Sequence, residues 1–195
     1  MISATDHGFQ RPHMQSMRPS KRPALRVVQG QLAAAVDWAW FCGRCASPFA
    51  GGTPPPPNSR VCPSCGFGLL LETPGNCVPD TNDAFLVADS ALLVQALSVR
   101  AEQLLGIGEG LAVDRPVGAL LAPADAEGGE AGRFAAAVAA AVGRGQGPVD
   151  VFVRPSNVFG VRMRARIAPC GPPRSALIIL QPQSGRLRVV GRPTS

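Results

Sequence analysis

The chain has 195 residues, enough for one ordinary domain with attachments or for two small ones. Hydrophobic residues make up 46% and charged residues 16%, so a core can form, and no apolar run approaches the roughly 20 residues a membrane-spanning helix needs. The net charge is +6, Tyr is absent, and the two His, His7 and His13, sit in a polar N-terminal stretch; a folded body with neither lacks the usual neutral-pH proton shuttles, which argues against an enzyme.

The charge is segregated. Residues 1–30 hold five basic side chains against Asp6, residues 79–143 hold nine acids and three Arg, and residues 144–195 hold nine Arg and one acid, Asp150. A basic balance fits a nucleic-acid partner. However, every basic residue except Lys21 is Arg, amid abundant Ala, Gly and Pro, which is the mark of a GC-rich coding sequence. Residues 1–36 are polar, Pro-containing and aperiodic, and read as a disordered basic tail. In a bacterial gene Val36 would suit a later start. A cytoplasmic location with no membrane attachment is expected.

Next comes Phe41-Cys42-Gly43-Arg44-Cys45, followed after 16 intervening residues by Cys62-Pro63-Ser64-Cys65-Gly66. Two Cys-x2-Cys pairs at this separation read as a metal site. Two cysteines three apart on a tight turn aim both sulfurs at one ion, and backbone N–H groups point at the same thiolates. Gly43 and Gly66 permit positive φ and Pro63 stiffens the second turn. Four thiolates from Cys42, Cys45, Cys62 and Cys65 make a closed tetrahedral site, with zinc the expected ion and iron able to occupy the same geometry. Disulfides are disfavoured in a reducing compartment. A redox Cys-x2-Cys would open a helix, which the Pro-rich surroundings do not suit. The arrangement resembles a zinc ribbon over residues 37–72, with Ala46 where the first knuckle more often carries Gly. Gly51–Pro57 reads as a stiff loop tip. Phe67, Leu69 and Leu71 alternate as a short strand would, and Trp38, Trp40 and Phe41 are expected to cover the other side of the small core. With only Arg44 and Arg60 in it, the ribbon has little charge for phosphates.

Residues 73–79 read as linker, and the turn chemistry continues to Asp83. Phe85–Ala88 and Leu92–Leu97 read as strands. Val99–Leu105 reads as a helix with Ser98 as N-cap and Gly106 as its stop. Arg115–Leu121 is a short helical segment ended by Pro123. Ala124–Gly129 is loop, and Glu130–Val142 is a helix with Phe134, Val138 and Val142 on one face. After a turn, Val149, Val151 and Val153 alternate. Val161, Met163, Ala165 and Ile167 then alternate against Arg162, Arg164 and Arg166, a strand with one buried face and one guanidinium face. Cys170–Pro173 turns into a nearly all-apolar last strand, Ser175–Leu180. Gly106–Gly110 follows a helix, the wrong context for a nucleotide-binding loop. Cys77 and Cys170 read as incidental thiols, and residues 183–195 as a tail.

Residues 80–182 resemble a PAS domain. Phe85–Asp89 looks like that family's first strand and turn, Ala101–Gly106 like its first helix, and Arg115-Pro116-Val117 with Leu120-Leu121 and Pro123-Ala124-Asp125 like the stretch before its long helix. Ser98 and Asp114 depart from residues the family often has there. The resemblance implies an α+β fold: a five-stranded antiparallel sheet with helices on one face, preceded by the small ribbon. It implies a sensor or docking module whose pocket between sheet and helices takes a small molecule or stays filled by core. The pocket candidates are Phe85, Val87, Leu104, Leu120, Phe134, Val138, Val151, Met163 and Ile178. Without His in this stretch, and with Cys77 and Cys170 outside any light-sensing motif, neither haem nor flavin is expected. Arg162, Arg164 and Arg166 are the candidates for docking an acidic partner. The expected function is signal sensing or regulation through a protein partner, a homodimer or a small ligand; a nucleic-acid-binding transcriptional regulator is the alternative.

Overall fold

Two sheets and a set of helices organise the computed structural model, which describes residues 37–49, 54–124, 130–144, 147–158 and 160–182. The expected tails at 1–36 and 183–195, the loop tip at 51–53 and most of the loop at 124–129 lie outside them. Strands β1 (Trp38–Cys42) and β2 (Leu70–Pro74) pair antiparallel, with Phe41 opposite Leu71 and Cys42 opposite Leu70. The larger sheet holds β3 (Ala84–Ala88), β4 (Val94–Leu97), β5 (Leu121–Pro123), β6 (Val149–Pro155), β7 (Met163–Cys170) and β8 (Ser175–Pro182). Its order is β4-β3-β8-β7-β6-β5, and every neighbouring pair is antiparallel.

The helices form where their ends are capped and one face is apolar. In α1 (Val99–Leu105) the Ser98 Oγ accepts the Ala101 N–H at 3.1 Å, and Gly106 closes the helix at φ 63°. The same Oγ accepts the Phe85 N–H at 3.0 Å, so the cap also fixes β3. Two four-residue helices follow, α2 (Glu109–Ala112) and α3 (Val117–Leu120). The longest, α4 (Glu130–Val142), buries Phe134, Val138 and Ala141. All four pack on one face of the sheet, where Leu86, Ala88, Val151, Met163, Ile167 and Ile178 meet them in one core.

The strand pleat decides what the other face carries. Phe85 and Val87 in β3, and Leu177 and Ile179 in β8, point away from the helices into a second apolar cluster. Strand β8 is therefore buried on both faces, the physical reason for its unbroken apolar run. In β7 the expected alternation holds: Met163, Ala165 and Ile167 are buried, Arg164 is exposed and Arg166 half-buried.

Several local expectations are corrected. The sheet has six strands because the end of the Arg115–Leu121 segment extends into β5, which pairs with β6. Within Gly106–Gly110, which follows α1 as expected, Gly108 also caps a short helix, α2, that the sequence reading does not include. Val161 lies before β7 and is 39% exposed. The stretch expected as linker at 73–79 is built in: Thr73 and Pro74 close β2, Gly75–Cys77 forms a 3-10 turn, and the buried Thr73 Oγ1 donates to the Pro169 carbonyl at 2.8 Å.

Candidate metal centre and its junction with the sheet

The two cysteine turns are built alike. Ala46 N donates to Cys42 O at 3.0 Å, and Gly66 N donates to Cys62 O at 2.9 Å. Within the first turn the Arg44 and Cys45 N–H groups each lie 3.4 Å from Cys42 Sγ. Within the second, Ser64 N lies 3.3 Å from Cys62 Sγ and Gly68 N 3.4 Å from Cys65 Sγ. Each turn closes on a left-handed residue, Ala46 at φ 60° and Gly66 at φ 72°.

These turns bring the sulfurs of Cys42, Cys45, Cys62 and Cys65 within 4.8 Å of one another. Cys42–Cys65 is 3.7 Å and Cys45–Cys62 is 3.9 Å. A tetrahedral ion with bonds of about 2.3 Å spaces its thiolates about 3.8 Å apart. A disulfide needs about 2.05 Å, and all six cysteines among the described residues are free. Burial pushes the Cys42 thiol far up against the N–H bonds of Cys45 and Arg44 that pull it down. At Cys65 desolvation also pushes up, yet the N–H groups of Gly68 and Phe67 and the sulfurs of Cys42 and Cys45 outweigh it and bring that thiol down to about 6. Backbone donors thus already favour thiolate at one end of the cluster, and a cation completes the balance. The donor set fits a four-thiolate metal ion, which would hold the two turns together and leave no open position for a reactant.

Gly68 is required by this geometry. A Cβ there would sit 2.7 Å from Arg44 Cβ and well inside contact distance of Cys42 Sγ.

The centre is fastened to the large sheet. Phe41, adjacent to Cys42, meets Phe85 edge-on with centroids 5.8 Å apart. Ala46 and Leu71 join them over Val87, Cys170, Leu177 and Ile179. Backbone pairing continues across the junction: Gly171 N donates to Glu72 O at 3.0 Å and Glu72 N to Gly171 O at 2.5 Å. Two arginines flank it. Arg144, after α4, reaches Glu72 Oε1 at 2.5 Å and lies 4.3 Å over the Trp38 ring. Arg44, between the first two ligands, reaches Glu109 Oε2 at 2.6 Å and Glu102 Oε2 at 3.6 Å, and its carbonyl accepts the Val99 N–H at 3.0 Å. Glu109 Oε1 takes the Leu97 N–H at 3.1 Å.

The four cysteines expected as ligands are brought together. Of the pocket candidates, Leu120, Phe134, Val138, Val151, Met163 and Ile178 lie in the core between sheet and helices, and Leu104 packs against it. Phe85 and Val87 do not; they lie on the opposite face beneath the ribbon, because β3 places its odd-numbered residues there. Phe41 likewise serves the junction instead of the ribbon core. Phe67 and Leu69 are 83% and 57% exposed, and the buried strand residues are Leu70 and Leu71. The three arginines share the sheet face beside the ribbon. Arg162 stacks on Phe152 at 4.1 Å, Arg164 bonds Gln181 and lies 3.8 Å from Asp150, and Arg166 is half-buried. The junction residues Glu72, Arg144 and Glu109 escaped the sequence reading because ion pairs 65 and 72 residues apart leave no spacing pattern.

The fold of residues 80–182 is PAS-like. The antiparallel sheet, the helices confined to one face and the element order are those the resemblance implies. Among solved structures, the chain is similar to the PAS domain of a protein from Colwellia psychrerythraea, with 21% identity, a TM-score of 0.40, and coverage of 51% of this chain and 85% of that one. It is also similar to the PAS domain of nitrogen regulation protein NR(II) from Vibrio parahaemolyticus, with 15% identity, a TM-score of 0.36, and coverage of 51% and 88%. A domain of an HTR-like protein from Haloarcula marismortui matches at 12% identity and a TM-score of 0.40, covering 53% and 99%. No protein-family model matches the chain, and no curated protein matches it.

Proposed function

We propose that this chain is a non-catalytic regulatory protein of the cytoplasm, in which the PAS-like domain takes a signal or a partner and a zinc-bound ribbon is its docked second module. The observation that carries this reading is the junction. A closed four-thiolate site is joined to the outer face of the sheet through Phe41–Phe85, Glu72–Gly171 and the Arg44 and Arg144 ion pairs. These contacts supply a continuous packed path by which a change in either module would bias the other. The lack of His and Tyr beyond residue 13 supports a role without acid–base chemistry. No helix among the described residues is long and apolar enough to cross a membrane. Neither haem nor flavin is part of the reading.

A nucleic-acid-binding regulator of transcription is the second reading. The exposed Arg162 and Arg164, with the half-buried Arg166 beside them, favour it, as does the basic N-terminal stretch. Native mass spectrometry of the purified protein tests the first reading. One zinc per chain with a co-purifying small molecule, a protein partner or a dimer supports it, and the absence of any metal overturns it. Binding to DNA or RNA that weakens steeply with salt would move the assignment to the second.

A further inference from the structure

Beside the junction, the ribbon and the PAS-like domain enclose a groove of about 480 Å³, within the range of small-molecule sites. Its apolar walls come from three parts of the fold. Leu69 and Leu71 come from the ribbon, Val87 and Ala96 from the outer face of the sheet, and Pro172 and Arg174 from the turn between β7 and β8. Phe67 also lines it, and with Leu69 leaves an apolar lip in water at 83% and 57% exposure.

The charges around this apolar groove are unequal in their commitments. Asp89 already accepts the N–H groups of Ala91 and Leu93 and the Gln95 side-chain amide. Glu109 is held by Arg44 and by the Leu97 N–H. Arg44 is spent on Glu109 and Glu102. Arg174 is exposed and has no hydrogen bond or ion pair with another described residue. Asp89 keeps its charge, because its partners are neutral, and the charged side chain at the groove with open hydrogen-bond donors is therefore Arg174. The chain's own ends do not complement it: residues 1–30 are basic, and residues 183–195 carry Arg186, Arg188 and Arg192 with no acid.

We propose that this groove binds an aliphatic monocarboxylate, its chain against Leu71, Val87 and Ala96 and its carboxylate on Arg174. A planar guanidinium matches a carboxylate in two parallel hydrogen bonds, and the apolar walls take the hydrocarbon. Because the walls belong to both modules, the occupant binds the docked state and stabilises it. The site lies on the opposite face of the sheet from the helix-side core, so it stands or falls independently of a ligand there and of the regulatory reading.

The test is calorimetric titration of the zinc-loaded full chain with decanoate below its micelle concentration, with decylammonium as the charge-reversed probe. Saturable one-site binding of decanoate is expected, with decylammonium binding at least tenfold more weakly. Arg174→Glu is expected to lose about tenfold or more, the range for a hydrogen bond to a charged group. Leu69→Glu, also at an exposed position, is expected to weaken binding as well, and zinc content and thermal midpoint report that both variants are folded. Absence of saturable binding, equal binding of decylammonium, or an unchanged Arg174→Glu affinity overturns the proposal.

Discussion

Removing the metal should uncover the outer face of the sheet, and Cys170 is the reporter. It ends β7, is 1% exposed, and lies in the cluster with Phe41, Leu71 and Leu177. Burial pushes its thiol from an ordinary 9.0 up to about 12. At pH 8 this leaves its thiolate fraction about a thousandfold below that of a free thiol. Among the described residues, the ribbon's own buried apolar cluster is Cys42, Cys62 and Leu70, with half-buried neighbours. Its two large contributions to the junction, Phe41 and Leu71, are worth on the order of 1.5–3 kcal/mol each by burial. Ordering the backbone costs about 1 kcal/mol or more per residue, so even ten residues exceed that gain. Structural zinc supplies about 10–16 kcal/mol, and its removal lets the ordering entropy win. The assay is N-ethylmaleimide labelling with and without a strong chelator, read by peptide mass spectrometry. Cys170 should label at least a hundredfold faster in the metal-free protein, together with the four ligands. Labelling of the four ligands while Cys170 stays protected would show that the ribbon remains docked without metal and refute this reasoning.

Three further outcomes are expected. Gly68→Ala drives a methyl onto Cys42 Sγ and Arg44 and should abolish stoichiometric zinc. Gly66→Ala meets nothing within 4 Å, so it should retain zinc and lose only about 1–2 kcal/mol to its positive φ; metal analysis and denaturation of both check this, and full zinc in the first sinks the packing argument. Burial raises the thiols of Cys170 and Cys77. A raised acid pKa gives stability that is complete below the unfolded value near 9 and lost as pH rises toward 12. Urea midpoints should therefore fall between pH 9 and 11, and fall less steeply in Cys170→Ala; equal slopes would remove Cys170 as a contributor. Ser98→Ala strips a buried acceptor from both Ala101 N and Phe85 N. It should destabilise by about 2–3 kcal/mol in chemical denaturation, and a loss below about 1 kcal/mol would contradict its double role.

The sequence spoke most clearly where chemistry or periodicity dictates spacing. Four thiolates around one ion require the Cys-x2-Cys pairs, and the caps of α1 are residue types that satisfy its orphaned ends. The alternation from Met163 to Ile167 could hardly be anything but a half-buried strand. Where both faces of a strand are covered, period two loses its phase. Phe85-Leu86-Val87-Ala88 is apolar throughout, so nothing in it distinguishes the helix side from the ribbon side, and the sequence alone assigns Phe85 and Val87 to the helix-side pocket when they lie beneath the ribbon. The same holds for Ser175–Leu180, whose composition declares two covered faces without naming the second cover. Strand β5 has three residues and exists because β6 offers it an edge.

One departure in the sequence does carry the missing cover, once the two knuckles are compared. Both turns close on a left-handed residue, and only the second uses Gly. Alanine in that region costs roughly 1–2 kcal/mol, so the methyl at residue 46 needs a compensating contact. Ala46 is 2% exposed and packs in the cluster with Phe41 and Phe85. Gly66 is exposed, and a side chain there would meet nothing within 4 Å. The first knuckle therefore carries a residue selected by a neighbouring surface, and the second carries the residue selected by the turn alone. The asymmetry between Ala46 and Gly66 marks which knuckle faces the sheet, so the docking of the ribbon is written at a single position as a strained residue with a buried side chain.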